Sequence, residues 1–163
     1  MADPAPVLRE PANLVSSRAP YIWAVGAAVR SLVLGAAVTG ALIAWGDGVD
    51  WILLALYGVL AVAYCILMPV YRFKVHRWES TETAVYTQAG WLSRERRIAP
   101  MSRVQTVDLQ QTAVSRLFGL ANVTVTTASA AGPLRIEALD APVAERLVDE
   151  LTRRSEDEAG DAT

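Results

Sequence analysis

The chain has 163 residues and a formal net charge of −2, enough for one compact domain or for a membrane anchor with a small domain. The near-neutral balance excludes a protein that binds polyanions by bulk attraction, so no nucleic-acid partner is expected. The charge is nevertheless divided. Residues 71–135 carry nine basic and four acidic side chains, whereas residues 136–163 carry three basic and nine acidic ones. The single cysteine, Cys65, excludes an intrachain disulfide.

The first segment, residues 1–19, is polar and contains Pro4, Pro6 and Pro11. This composition predicts a disordered N-terminus. A cleaved signal peptide is not expected, because a polar stretch precedes the first apolar run and a second full-length run follows it.

The hairpin segment is placed at residues 20–70 on the basis of two apolar runs, 21–45 and 51–71, the second free of charge. About 20 helical residues cross a hydrocarbon core of roughly 30 Å, and the five-residue link 46–50 makes the two helices antiparallel neighbours. The pattern predicts a two-helix transmembrane hairpin, with a buried helical hairpin of a soluble domain as the disfavoured alternative. Gly35 and Gly40 lie on a small-residue face that would let helix one pack closely against helix two.

Basic residues flank the hairpin on both sides, whereas the connecting loop contains only the acidic Asp47 and Asp50. Basic residues in short flanks mark the cytoplasmic side of a membrane protein. The sequence therefore predicts a multi-pass protein of the cell membrane with both termini in the cytoplasm. The flanking basic residues are Arg9, Arg18, Arg72, Lys74 and Arg77.

Arg30 interrupts the first run, and a charge at the bilayer centre costs at least about 2.5–3.5 kcal/mol. Two interpretations stay open. In the favoured one, the embedded part of helix one starts near Arg30, whose side chain reaches the headgroups. In the other, Arg30 marks a polar site inside an assembly.

From residue 71 onward the pattern changes to short β-branched and aromatic runs. Strands are predicted over 71–78, 83–88, 91–98 and 103–109, followed by a short helix over 112–118 that Gly119 ends. Two further strands, 122–127 and 134–138, would be joined by a turn at 130–133.

A final helix is predicted after Asp140, with an apolar stripe of Val143, Leu147, Val148 and Leu151. The acidic tail, residues 155–163, is expected to be disordered. Residues 71–154 thus form a cytoplasmic domain of antiparallel strands closed by one helix. The fold class is α+β, with an N-terminal transmembrane α-hairpin.

Residues 98–120 resemble the signature of the bacterial pleckstrin-homology-like domain found in the YdbS-like family. The match joins an "I-P-x-x-[RK]-[IV]-Q-x-V" strand, a "Q-[ST]-x-x-x-R-x-[FL]-G" helix-turn and a later "T-A-[SG]" step at 127–129. The matching residues are Pro100, Arg103, Val104, Gln105, Val107, Gln111, Thr112, Arg116, Phe118 and Gly119.

The resemblance implies a pleckstrin-homology-like antiparallel β-sheet domain capped by a C-terminal helix, membrane association, no recognised catalytic residues and no cofactor. It also implies a companion, a larger related membrane protein with several copies of the domain. The signature residues are interpreted as mainly structural, since glutamine amides bond loop backbone and Arg116 can brace the short helix.

Basic side chains near the hairpin are candidate contacts to anionic headgroups, each adding about 1 kcal/mol near a membrane surface. The alternatives are that the residues after helix two only fix topology, and that the cluster after residue 93 is a solvated strand face. The candidates are Arg30, Arg72, Lys74, Arg77, Arg94, Arg96 and Arg97.

His76 is the only histidine, so a zinc site lacks ligands. Asp108 and Glu137 are isolated carboxylates, and no catalytic set is recognised. The favoured function is a non-enzymatic, membrane-tethered protein-interaction scaffold. The alternative is a module that senses anionic lipid at the inner leaflet, and a homo-oligomer is also compatible with the sequence.

Overall fold

The structure is a computed structural model that describes residues 10–46, 49–128 and 132–161. The helices are α1 (Ala19–Trp45), α2 (Trp51–Val75), α3 (Ala113–Leu117) and α4 (Ala141–Asp161). The strands are β1 (Asn13–Leu14), β2 (Arg77–Ser80), β3 (Ala84–Gly90), β4 (Arg94–Pro100), β5 (Val104–Gln110), β6 (Leu120–Thr127) and β7 (Leu134–Asp140).

The strands form two antiparallel sheets, one in the order β1-β2-β3-β4 and the other in the order β5-β6-β7. Strands β3 and β4 make a hairpin in which Gly90 pairs with Arg94. The predicted α+β fold, with two apolar helices, antiparallel sheets and a C-terminal helix, is confirmed.

Helices α1 and α2 form an antiparallel hairpin that is long and apolar enough to cross a bilayer. The most apolar 18-residue stretch has a mean hydropathy of 1.8 within Ala19–Ala44 and of 2.3 within Trp51–Val75. The helices approach closely at Gly35, where an added Cβ would lie 3.0 Å from Tyr57 Cε1. The Tyr57 hydroxyl also donates to the Ser31 carbonyl. Gly40 has no such neighbour within 4 Å, so only part of the predicted small-residue face is used between these helices.

The core of the domain lies between the two sheets and α4. Its fully buried side chains include Val85, Val125 and Leu139. From α4, Leu147 and Leu151 enter this core and Val148 packs against it, as the predicted apolar stripe requires. The helix therefore closes the open side of the sheets, as expected from the sequence.

A second apolar cluster joins the base of the hairpin to the domain. Trp23 and Ala27 of α1 and Met68 of α2 are buried together with Leu120 and Ala138 of the sheet. Burial of apolar surface is the main source of adhesion between packed elements. The domain is therefore packed directly against the hairpin instead of hanging from it by a linker.

The strand predicted over 71–78 is wrong at its start, because α2 continues to Val75 and β2 begins only at Arg77. Val75 is buried, and the amide of Gln88 donates to its carbonyl at 3.0 Å. Packing against the domain thus keeps these aromatic and β-branched residues helical against their local preference.

The prediction of disorder is wrong for residues 10–18. Asn13 and Leu14 pair with β2 as strand β1, and Val15 is buried in the second cluster. The Ser16 amide donates to the Ala138 carbonyl at 3.0 Å. These long-range contacts outweigh the polar local composition. Residues 1–9 lie outside the described residues.

The prediction of a disordered tail is also wrong for residues 155–161, which continue α4. A helix propagates at little cost once nucleated, and an Arg154–Glu150 ion pair one turn apart supports this end.

Asp140 ends β7 and accepts a hydrogen bond from Ser16 Oγ at 2.7 Å. Residues 162–163 and the first half of the predicted turn, residues 130–131, lie outside the described residues.

Candidate functional site

Arg72 is the centre of a polar cluster where the hairpin meets the domain. Its guanidinium donates to the Glu137 carboxylate at 2.7 Å and lies 4.4 Å from the centroid of the Trp23 ring. Both contacts favour a charged guanidinium, and they join α2 to β7 and to α1. Arg72 therefore contacts the protein itself, and is less well placed for a headgroup than an exposed cation.

His76 belongs to the same polar cluster and lies one helical turn after Arg72. Its Nδ1–H donates to the Arg72 carbonyl at 3.0 Å, since a carbonyl can only accept. Nε2 then accepts from Arg72 Nε at 3.4 Å, and the imidazole contacts the Trp23 ring at 4.9 Å between centroids. Burial and then the Arg72 charge lower the pKa of His76, against the raising effects of the backbone hydrogen bond and Glu137. The site holds a neutral imidazole.

A groove of about 460 Å³ opens beside this cluster, between the end of α2, strands β3 and β4, and β7. Its lining carries charges of both signs with an excess of arginine, namely Arg72, Arg77, Arg97 and Arg135 with Glu95 and Glu137. Two of these arginines form ion pairs with the two glutamates, Arg72 with Glu137 and Arg97 with Glu95.

The other candidate lipid contacts divide into exposed and paired side chains. Lys74 and Arg94 are exposed, and Arg77 is half-buried. Arg96 donates to Gln88 Oε1 at 2.7 Å, and Arg97 forms an ion pair with Glu95 at 2.6 Å. Lys74 and Arg94 are thus the best placed for headgroups.

Arg30 is exposed on α1 and donates to the hydroxyl of Tyr64 on α2 at 3.4 Å. The Trp91 ring lies 6.2 Å from Tyr64 and 6.0 Å from Tyr71, between ring centroids. The β3–β4 turn therefore lies alongside the hairpin. Arg30 shares its level with Tyr and Trp rings, the residue types that prefer the membrane–water interface.

The signature residues fall into two groups. Gln111 donates to the Leu120 carbonyl at 3.1 Å, and Gly119 has a φ of +66° with Arg18 Nη1 2.9 Å from an ideal Cβ. These contacts support the structural interpretation. The side chains of Val104 and Val107 pack against the core of the domain. The Phe118 side chain packs against the second apolar cluster.

Five signature residues are exposed: Pro100, Arg103, Gln105, Thr112 and Arg116. Among them, Thr112 caps α3, because its Oγ1 accepts from the Ser115 amide at 3.1 Å. Within the described ranges, no side-chain hydrogen bond is formed by Arg103, Gln105 or Arg116. The bracing role interpreted for Arg116 stays a prediction. Arg103 lines a groove of about 260 Å³ with Arg96 and Arg97, a grouping that the sequence alone did not indicate.

Exposed apolar side chains follow one another on β5 and on the short helix after it. Leu109 is 39% exposed, Val114 45% and Leu117 86%. We call these three residues the β5–α3 segment. Within the part of the chain that the structure describes, β5 pairs with β6 alone, so no strand occupies its other edge.

Sequence reasoning missed the roles of Trp23, His76 and Glu137, which it treated as an apolar residue, an incomplete metal ligand and an isolated carboxylate. Arg72 and Glu137 are 65 positions apart in the chain, so no local spacing links them. One signal in the sequence could have indicated this pair. Arg72 and Glu137 are opposite charges that each stand among apolar neighbours, and a charge in apolar surroundings needs a partner.

The comparison with family models decides the classification. The model described as bacterial PH domain matches residues 22–155, which include most of α1, the whole of α2 and strands β2 to β7. The chain belongs to the bacterial PH domain family. It is also 29% identical over 149 residues to transmembrane protein YdbS of Bacillus subtilis (strain 168), covering 88% of this chain and 92% of that protein. No solved structure matches.

The bacterial PH domain match and the likeness to YdbS confirm the predicted resemblance to the YdbS-like family. The transmembrane relative and the two long apolar helices together indicate a membrane protein. The match begins within α1 and ends within α4. Helical hairpin and sheet domain are therefore matched as one unit, in agreement with the shared apolar cluster and the Arg72–Glu137 ion pair at their junction.

Proposed function

We propose that this bacterial PH domain protein is a non-enzymatic scaffold that spans the cell membrane twice and offers its cytoplasmic domain to a protein partner. The observation that carries the proposal is the exposed β5–α3 segment, with Leu117 86% exposed beside a strand edge. Exposed apolar groups next to an open edge are typical of sites where a partner adds a strand.

The outward side chains of β5 fit an interaction surface. Gln105, Thr106 and Asp108 are exposed, so the strand presents hydrogen-bonding groups and one carboxylate around the apolar Leu109. A partner strand would pair with the β5 backbone, and its apolar side chains would cover Leu109 and Leu117.

The junction suits this role because it fixes the orientation of the domain relative to the hairpin. The Arg72–Glu137 ion pair and the Gln88–Val75 hydrogen bond hold the sheet on the last turn of α2. A surface that is already oriented loses less entropy when it binds. The partner expected from the family resemblance is a larger membrane protein with several copies of the same domain.

The test compares two exposed leucines on different sheets of the full chain. Leu117→Glu places a charge in the β5–α3 segment, and Leu14→Glu is the matched control, since Leu14 is 42% exposed and lies on β1 of the other sheet. Affinity purification from detergent-solubilised native membranes should recover a membrane partner with the wild type and with L14E. Recovery with L117E should fall at least about tenfold, which corresponds to about 1.4 kcal/mol. Wild-type protein recovered only as a free chain would refute the scaffold.

A lipid-sensing module is the second candidate, favoured by the exposed cations Lys74 and Arg94 close to the hairpin. It requires anionic phospholipid to remain with the purified full chain and to be lost in the K74Q/R94Q double variant. Retention unchanged by both substitutions would remove this candidate.

A further inference from the structure

The turn between β3 and β4 has a shape that only glycine permits at its first position. Gly90 has a φ of +147°, and a Cβ added there would lie 1.9 Å from the Ser93 carbonyl oxygen. This tight turn projects two large apolar side chains in succession, Trp91 and Leu92. Leu92 is 90% exposed, more than any other large apolar side chain among the described residues.

The position of the turn against α2 sets its height along the hairpin. The Trp91 ring contacts both Tyr64 and Tyr71, which are two helical turns apart, about 10 Å along the axis. Trp91 therefore lies at a level between these two tyrosines. The turn extends along the hairpin from the end of the helix back toward the membrane.

The length of a membrane span places this level at the lipid boundary. About 20 helical residues cross the hydrocarbon core, so a span that begins at Trp51 ends close to Val70. Trp91 then lies at the inner edge of the hydrocarbon, where aromatic rings prefer to be. Leu92 follows it in the same turn, and the exposed Arg94 comes next at the start of β4.

We infer that the β3–β4 turn, residues 90–93, inserts Leu92 into the leaflet that adjoins the domain, with Trp91 at the headgroup level. A single exposed leucine needs no explanation on a soluble surface. Here, however, the exposed leucine is beside a membrane helix, and its neighbours in the chain are Trp91 and Arg94, residue types that prefer the membrane–water interface and the headgroups. The turn is a third point of contact with lipid besides α1 and α2, and it involves a different face from the β5–α3 segment.

The opposite end of β3 provides the control. The β2–β3 turn contains the exposed Glu82, and β3 spans seven residues from Ala84 to Gly90. A strand rises about 3.3 Å per residue, so the two turns lie roughly 20 Å apart at opposite ends of one rigid strand. Insertion of Leu92 therefore predicts that Glu82 stays in water.

The experiment uses the full chain in vesicles of phosphatidylcholine and phosphatidylglycerol, with Cys65→Ala as background. Leu92→Cys and Glu82→Cys each carry an environment-sensitive fluorophore. Lipid with a nitroxide high on the acyl chain should quench the probe at residue 92 at least about threefold more than the probe at residue 82. Aqueous iodide should show the reverse order.

Equal quenching of the two probes by the nitroxide lipid, or stronger iodide quenching at residue 92, would overturn the inference. The same result is expected if the turn is a docking site for a protein. These vesicles contain no other protein, so residue 92 would then stay exposed to water. Loss of partner recovery in L117E is independent of this outcome, so the insertion and the scaffold are tested separately.

Discussion

Arg72 and His76 lie one helical turn apart at the end of α2, and together they connect three elements of the chain. Arg72 contacts Glu137 of β7 and Trp23 of α1, while His76 accepts a hydrogen bond from Arg72 through Nε2. A protonated imidazole would place a second cation against the guanidinium. The cluster is therefore stable with His76 neutral and loses stability when His76 is protonated.

This arrangement predicts a pH dependence of stability that originates at His76. Burial lowers the pKa of His76 from its ordinary 6.5, so between the two pKa values the unfolded state binds the proton and the folded state does not. The stabilisation is complete above pH 6.5 and is lost as the pH falls through the lowered pKa. In detergent micelles, the unfolding temperature of the wild type should fall more between pH 8 and pH 5 than that of His76→Gln. Parallel curves for the two proteins would contradict this role.

At the scale of elements, the contact between α1 and α2 depends on one small residue. An added Cβ at Gly35 would meet Tyr57 Cε1 at 3.0 Å, whereas Gly40 faces open space on the same helix. The Tyr57 ring is held there by its hydrogen bond to the Ser31 carbonyl, so it cannot retreat without losing that bond.

Gly35→Val should therefore destabilise the protein, and Gly40→Val is the matched control with the same change in side chain. Overpacking costs about 1–3 kcal/mol, which should lower the unfolding temperature of G35V in micelles by several degrees. Tryptophan fluorescence during heating measures this. The prediction fails if the unfolding temperature of G40V falls as much as that of G35V.

The elements that sequence patterns predicted well are those whose cause is local. Gly119 was expected to end the short helix, and it has the positive φ of +66° that such an end requires. The apolar stripe of α4 was predicted by its spacing, and Leu147 and Leu151 are buried. Each of these depends on residues within a few positions of one another.

The elements that were mispredicted depend on distant partners. Val15 and Ser16 are ordered by contacts with Ala138 and Asp140, and α2 is continued to Val75 by Gln88. The candidate site has the same property, since the Arg72–Glu137 ion pair joins residues far apart in the chain. A single sequence carries no periodic signal for such pairs.

At the scale of the whole molecule, the hairpin and the domain form one packed body through the cluster that includes Trp23, Met68 and Leu120. Basic residues flank the hairpin, and the Asp50 carboxylate caps α2 at the far end by accepting from the Ile52 and Leu53 amides. The proposed orientation places this cap outside the cell and the domain inside.

The central claim, a membrane hairpin that holds a cytoplasmic domain, is tested most directly by labelling single cysteines in intact cells with a membrane-impermeant maleimide. In a Cys65→Ala background, Val49→Cys in the hairpin loop and Asp149→Cys on the exposed face of α4 report the two sides. With the loop outside and the domain inside, V49C is labelled in intact cells and D149C is labelled only after lysis. Labelling of D149C in intact cells, or of V49C only after lysis, would contradict it.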